Sequence, residues 1–129
     1  MMFIKSNVMY VYSFEKLETW QKARIFRKEI YLLTKKFPKE EIFGLTSQVK
    51  RSVSSISDCL AEGSSRITAK DQAHFASMAY ASAIETINHL IGAHDLEYIS
   101  DDDYYAFRLK LEELTNKINA LRTAILNRA

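Results

Sequence analysis

Cysteine occurs once in this 129-residue chain, proline once and glycine three times. A lone thiol, Cys59, forms no internal disulfide, which argues against a small stapled scaffold of the secreted type. Cys59 sits in a helical stretch and reads as a small apolar residue, since a reactive thiol wants a cationic, accessible setting. So few helix breakers predict long helices with short joints. No apolar run approaches the roughly 18 residues that a membrane-spanning helix requires. Residues 1–13, MMFIKSNVMYVYS, lack the basic start and long apolar middle of a secretory signal. A cytoplasmic location is therefore expected, with residues 1–13 as a tail, either flexible or packed on a neighbour through Val8, Tyr10 and Val11.

Catalytic signatures are missing too. Gly44, Gly63 and Gly92 are isolated, so there is no glycine-rich phosphate loop. No Ser-x-x-Lys run or G-x-S-x-G elbow offers an activated nucleophile. His74, His89 and His94 form no metal-ligand pair, and there is no HExxH or Cys/His cluster. His94 falls on an apolar row, where a hydrogen-bonded structural histidine is the simpler reading. Glu62 and Glu85 are the one carboxylate pair that two helices could bring together. Di-metal bundles, however, also use Glu-x-x-His pairs, which this chain lacks. No enzyme, metal or cofactor is expected.

What the chain does have is helical periodicity. Its length fits one domain, and 47% apolar residues can build a core that hides well over half of the unfolded surface. A first helix is predicted over about Glu15 to Lys36, with Leu17, Trp20, Ala23, Phe26, Ile30, Leu33 and Phe37 on one face. Pro38 ends it. A second runs from Glu40 or Leu45 to Glu62, with Leu45, Val49, Val53, Ile56 and Leu60 facing inward. Gly63 is read as its stop, a residue free to take positive φ. Thr68 and Asp71 form a capping signal for a third helix. There Ala73, Ala76, Tyr80, Ala83, Ile87, Leu90 and His94 lie beside a second row, Phe75, Ala79, Ser82 and Thr86. That arc covers more than half the circumference and calls for cover on two sides, one of them a second subunit. Ser100 caps a fourth helix with Asp101, Asp102 and Asp103 in its first turn. Tyr104, Phe107, Leu111, Leu114, Ile118, Leu121 and Ile125 form its seam. Short joints make neighbours antiparallel, so the predicted fold is an all-α, up-down-up-down four-helix bundle spanning residues 14–129.

The net charge of +2 hides an asymmetry. Residues 1–70 carry 13 Lys and Arg against 7 Asp and Glu, a surplus of +6; residues 71–129 carry 5 against 9, or −4. On the first helix Arg24, Lys28, Tyr31 and Lys35 share a stripe with Arg27 at its border. Lys50 and Arg51 add charge on the second helix, and Arg66 and Lys70 cluster near its far end. Cations around an aromatic can hold phosphates while the ring stacks on a base. The alternative is a solvated face with Glu29, Asp58 and Glu62 as local partners. A second polar stripe, Gln48, Arg51, Ser55, Asp58 and Glu62, reads either as solvated i,i+3 and i,i+4 pairs or as a structural network. In the structural reading Arg51 lies between carboxylates at a helix–helix or subunit contact, with Glu85 of the third helix or of another subunit its best partner, and Arg51→Ala unfolds the protein or breaks its assembly.

Four segments carry a family resemblance. Gly44-Leu45-Thr46-Ser47-Gln48, Arg51, Ser55-Ile56 and Ala61-Glu62-Gly63-Ser64-x-Arg66 form the first. Phe14-Glu15-x-Leu17-x-x-Trp20-x-x-Ala23 precedes it, followed by Tyr31 to Phe37-Pro38 with Glu41. Ala79-x-x-Ser82-x-x-Glu85 comes last. In order and spacing they resemble the four-helix proteins encoded in 23S rRNA intervening sequences, which are similar to the accessory variability protein of diversity-generating retroelements. Cys59 stands where that family usually has Asn, Ser57 where it often has Pro, and Tyr80-Ala81 where Arg-Gly is common. The resemblance implies a pentameric homo-oligomer that binds RNA or DNA and works with a reverse transcriptase. Three readings follow: a nucleic-acid-binding or ribonucleoprotein accessory, a protein-interaction scaffold that binds no nucleic acid, and an enzyme built on Glu62 and Glu85.

Overall fold

The computed structural model describes residues 9–128. Within them four long helices follow one another: α1 (Glu18–Leu33), α2 (Leu45–Ser64), α3 (Ala69–Asp95) and α4 (Asp101–Asn127). Each packs antiparallel on the next and α4 returns beside α1, which makes the up-down-up-down bundle that the seams predict. The core combines Phe26, Ile30 and Leu33 with Val53 and Ile56, Ala83 and Leu90, and Leu111 and Ile118. Each large aliphatic side chain buried there contributes about 1.5–3 kcal/mol. No helix among the described residues is long and apolar enough to cross a membrane. Of the expected tail, residues 1–8, Val8 included, lie outside the described residues, while Met9 to Tyr12 are exposed.

The first predicted helix is not continuous. A single turn of 3-10 helix, Ser13–Lys16, precedes it, and Leu17 is extended before α1 starts at Glu18. The Glu15 side chain accepts the Tyr12 backbone N–H at 2.7 Å, and Gln21 Nε2 donates to the Glu15 carbonyl at 2.8 Å. These bonds close a separate turn that apolar spacing alone does not reveal. At the other end Thr34–Lys36 tightens into 3-10 geometry, and Phe37 before Pro38 is extended.

Gly63 also departs from expectation. α2 runs on to Ser64 and Gly63 does not take positive φ. It is buried, and a Cβ there would meet Phe75 Cβ at 2.8 Å. Its missing side chain brings α2 and α3 together; it does not stop the helix. The same contact is lined with small residues. Ser52 Oγ and Thr86 Oγ1 lie 2.8 Å apart in the core, Thr86 Oγ1 donates to the Ser82 carbonyl at 2.9 Å, and Ser82 Oγ donates to Ser55 Oγ at 2.9 Å. The buried line of α3 runs through Ala76, Ala79, Ala83, Thr86, Leu90 and Ala93. It lies between the two predicted rows, which leaves Tyr80, Ile87 and His94 only half-buried.

Both joints at one end of the bundle are pinned by the same carboxylate. Glu41 Oε1 accepts the Leu45 backbone N–H at 3.0 Å, and Tyr98 Oη donates to Glu41 Oε2 at 2.8 Å. Gly44 leaves room for this, since a Cβ there would meet Glu41 Oε1 at 2.6 Å. These two bonds, the Leu45 N–H first, hold the Glu41 carboxyl below its ordinary value, and the bond to Glu41 pushes the Tyr98 phenol up. After α3, Tyr98 N–H reaches the Ala93 carbonyl at 2.9 Å and Glu97 N–H reaches that of His94 at 3.0 Å. This is a Schellman cap with Glu97, at φ 61°, where glycine is usual.

Two substitutions should move stability in opposite directions. Gly63→Ala should destabilise by about 1–3 kcal/mol through overpacking against Phe75, and Glu97→Gly should stabilise by about 1 kcal/mol by relieving the left-handed backbone. Chemical denaturation of both variants beside the parent measures each. Because the folded Glu41 carboxyl titrates lower than the unfolded one, its contribution is complete well above 4.5 and fades as pH falls through the folded value. Glu41→Gln should therefore melt below the parent at neutral pH, and the gap should narrow steadily on acidification.

Candidate nucleic-acid interface

α1 separates its charges by side. Toward α4, four ion pairs bridge the helices: Glu18–Lys117 at 3.4 Å, Lys22–Glu113 at 3.6 Å, Glu29–Lys110 at 2.8 Å and Lys36–Asp103 at 2.6 Å. Toward α2 the pattern changes. Among the described residues no carboxylate lies within 4.0 Å of Arg24, Arg27, Lys28, Lys35 or Lys50. Glu29, read from sequence as a local partner of this stripe, is instead taken up by Lys110 across the α1–α4 contact.

Of these cations Lys50 lies against Tyr31. Tyr31 Oη and Ser54 Oγ lie 3.1 Å apart, and Lys50 Nζ sits 5.0 Å from the ring centroid. One turn earlier Arg27 Nη1 donates to Ser57 Oγ at 3.0 Å, so the half-buried Arg27 is committed to the helix contact. Arg24 lies over Trp20 at 5.6 Å, a cation–π contact that leaves its charge accessible. Lys28 and Lys35 are exposed. Arg66 and Lys70 stand apart from Tyr31, around the α2–α3 joint. The Arg66 guanidinium covers the Phe75 ring at 4.5 Å, and Gln72 Nε2 donates to the Arg66 carbonyl at 2.8 Å. Lys70 is exposed in the first turn of α3. The predicted cations thus fall into a set along α1 with Lys50 of α2 and a smaller one at the joint. Ser54 and Ser57, absent from the predicted set, hold Tyr31 and Arg27 in place. Their signal was the serine spacing along α2, which puts both hydroxyls on the side facing α1.

The second polar stripe is an α2–α3 feature. Arg51 Nη2 donates to Gln48 Oε1 at 2.8 Å and lies 3.9 Å from Glu85 Oε2, which also faces His89 Nε2 at 3.4 Å. Asp58 and Glu62 are exposed and stand outside this network. The side chains of Arg51 and Glu85 are 67% and 42% exposed within the single chain, so the α2–α3 contact alone does not bury this pair. Cys59 is buried, and burial raises its thiol pKa, the behaviour of an unreactive packing residue. His94 stacks on Tyr104 with centroids 4.1 Å apart and bonds Asp101 Oδ1 at 2.6 Å. Among the described residues no three His, Cys, Asp or Glu side chains converge as a metal site would need.

The sequence model of the 23S rRNA-intervening sequence protein family matches residues 15–120. The chain belongs to that family. A crystal structure of a protein of unknown function, from the S23 ribosomal protein family of Bacteroides thetaiotaomicron, shares the fold. It has a TM-score of 0.76 and 23% identity, covering 81% of this chain and 95% of that one. No curated protein matches the sequence. Of the four segments that carry the resemblance, the one from Gly44 to Arg66 is α2 with its two ends.

An exposed ion pair is worth at most about 1 kcal/mol. Arg51→Ala should therefore leave the chain folded, with a loss no larger than that in urea denaturation, in place of the collapse expected for a buried pair.

Proposed function

We propose that the protein is a non-enzymatic, oligomeric nucleic-acid-binding bundle whose α1–α2 face contacts the phosphate backbone. The observation that carries this reading is that Arg24, Lys28, Lys35 and Lys50 have no carboxylate partner among the described residues, while the α1–α4 side matches its charges across the helices. Cations with no nearby carboxylate are available to phosphate, and each one engaged releases counterions. Arg24, Lys28, Lys35 and Lys50 make these contacts, Tyr31 offers a ring for a base, and Arg66 and Lys70 extend the track toward one end. RNA or DNA is the ligand class, and a reverse transcriptase or other ribonucleoprotein is the partner class in a cytoplasmic setting. The scaffold reading draws on a different observation, the exposed apolar surface of α3 and α4.

Replacing Arg24, Lys28 and Lys35 together by Ala should leave folding nearly intact, since exposed substitutions usually shift stability by no more than about 0.5 kcal/mol each. Filter binding over a salt series should show weaker affinity. The salt slope should fall by about 0.9 for each duplex phosphate that the variant no longer neutralises. If the triple variant keeps the parent's affinity and slope, the site moves to Lys50, Arg66 and Lys70. If the parent binds no nucleic acid at low salt, the scaffold reading replaces this one.

A further inference from the structure

The end of the bundle where α1 begins holds a half-open cavity of about 230 Å³. Leu60, Ala76, Leu121 and Ile125 from three helices form its wall, with Leu17, the extended residue before α1, beside them. The space exists because α2 and α3 contribute little bulk there: Gly63 has no side chain and Ala76 only a methyl group. An apolar void forfeits the dispersion contacts that its walls would otherwise make. Water fills such a void poorly, since a buried water typically makes about three hydrogen bonds. Two polar side chains at this site are already engaged. Ser64 Oγ donates to the Ala61 carbonyl and Gln72 Nε2 to the Arg66 carbonyl, each at 2.8 Å. An alkyl chain is the better guest.

Charge defines the other end of that guest. Arg128, at the end of α4, is the only charged residue lining the cavity. Among the described residues no carboxylate lies within 4.0 Å of it. A cationic ligand would meet a like charge here and no acid, whereas a carboxylate finds a guanidinium with its matching fork of donors. Pockets for drug-sized ligands run to about 300–1,000 Å³, so this smaller one suits a short chain. We propose that the cavity binds a medium-chain fatty acid, its alkyl chain against Leu60, Ala76, Leu121 and Ile125 and its carboxylate on Arg128. This site is independent of nucleic-acid binding and of oligomerisation, and neither reading stands or falls with it.

Octanoate added to the full chain tests the site. In a methyl NMR titration the signals of Leu17, Leu60, Leu121 and Ile125 should shift, while those of Leu33 and Ile99 at the opposite end of the bundle should stay in place. Across butyrate, hexanoate and octanoate the affinity should rise about fourfold for each CH2 group buried. Arg128 is exposed, so Arg128→Gln should leave the fold intact. It should weaken octanoate by about two- to fivefold, the worth of an exposed ion pair, and leave octanol binding unchanged. Still signals at the four cavity methyls, or affinities that ignore chain length, would overturn the cavity as an alkyl site. Octanol binding as tightly as octanoate, or an Arg128→Gln variant that binds octanoate like the parent, would overturn the assignment of a carboxylate.

Discussion

The close approach of α2 and α3 is the constraint on which the rest of this bundle depends. It is made possible by what is missing: a side chain at Gly63, and anything larger than alanine, serine or threonine along most of the shared seam. Two helices this close cannot cover large side chains between them. The bulky residues of α3 are therefore displaced to its flanks, and Tyr80, Ile84 and Ile87 end up lining a groove beside α4. The opposite contact, α1 on α4, is built differently, with four surface ion pairs at its margin and Phe26 against Phe107 inside. One side of the bundle is held by proximity and the other by large side chains and charge.

Most of the fold was legible because it is periodic. The seams of α1, α2 and α4 occupy the core positions that their spacing assigns, and Thr68 and Ser100 cap the helices they precede, accepting the N–H groups of Asp71 and Asp103 at 3.1 Å. The features that were missed depend on partners distant in sequence or on backbone shape. The break at Leu17 follows from bonds made by Glu15, and the role of Gly63 is set by Phe75 on the next helix. The left-handed Glu97 breaks the glycine preference that would have marked it. Spacing identifies faces, but it says little about how closely two faces meet.

The candidate interface divides in the same way. Helical spacing put Arg24, Lys28, Tyr31 and Lys35 on one face; the first three lie on α1, while Lys35 falls in the 3-10 turn that follows it. The choice of charge partners could not be read, because a carboxylate one residue from a cation on a helix points elsewhere. Glu29 lies next to Lys28 in sequence and pairs with Lys110 on another helix. Glu85 was identifiable as the partner of Arg51 because Asp58 lies two turns away along the same helix. Its exposure, however, depends on what covers the α2–α3 surface.

The hydroxyl ladder between α2 and α3 has a consequence for uniqueness. A seam of small apolar residues packs almost equally well after one helix slides a turn along the other, since alanine resembles alanine. Ser52, Ser55, Ser82 and Thr86 remove that degeneracy. A one-turn slip would part Ser52 from Thr86 inside the core and Ser55 from Ser82 at its half-buried edge, and a buried polar group without a partner costs about 1–3 kcal/mol. The ladder therefore works as a vernier that admits one axial setting of α3 on α2. Through that setting it fixes the height at which Tyr80, Ile84 and Ile87 face outward.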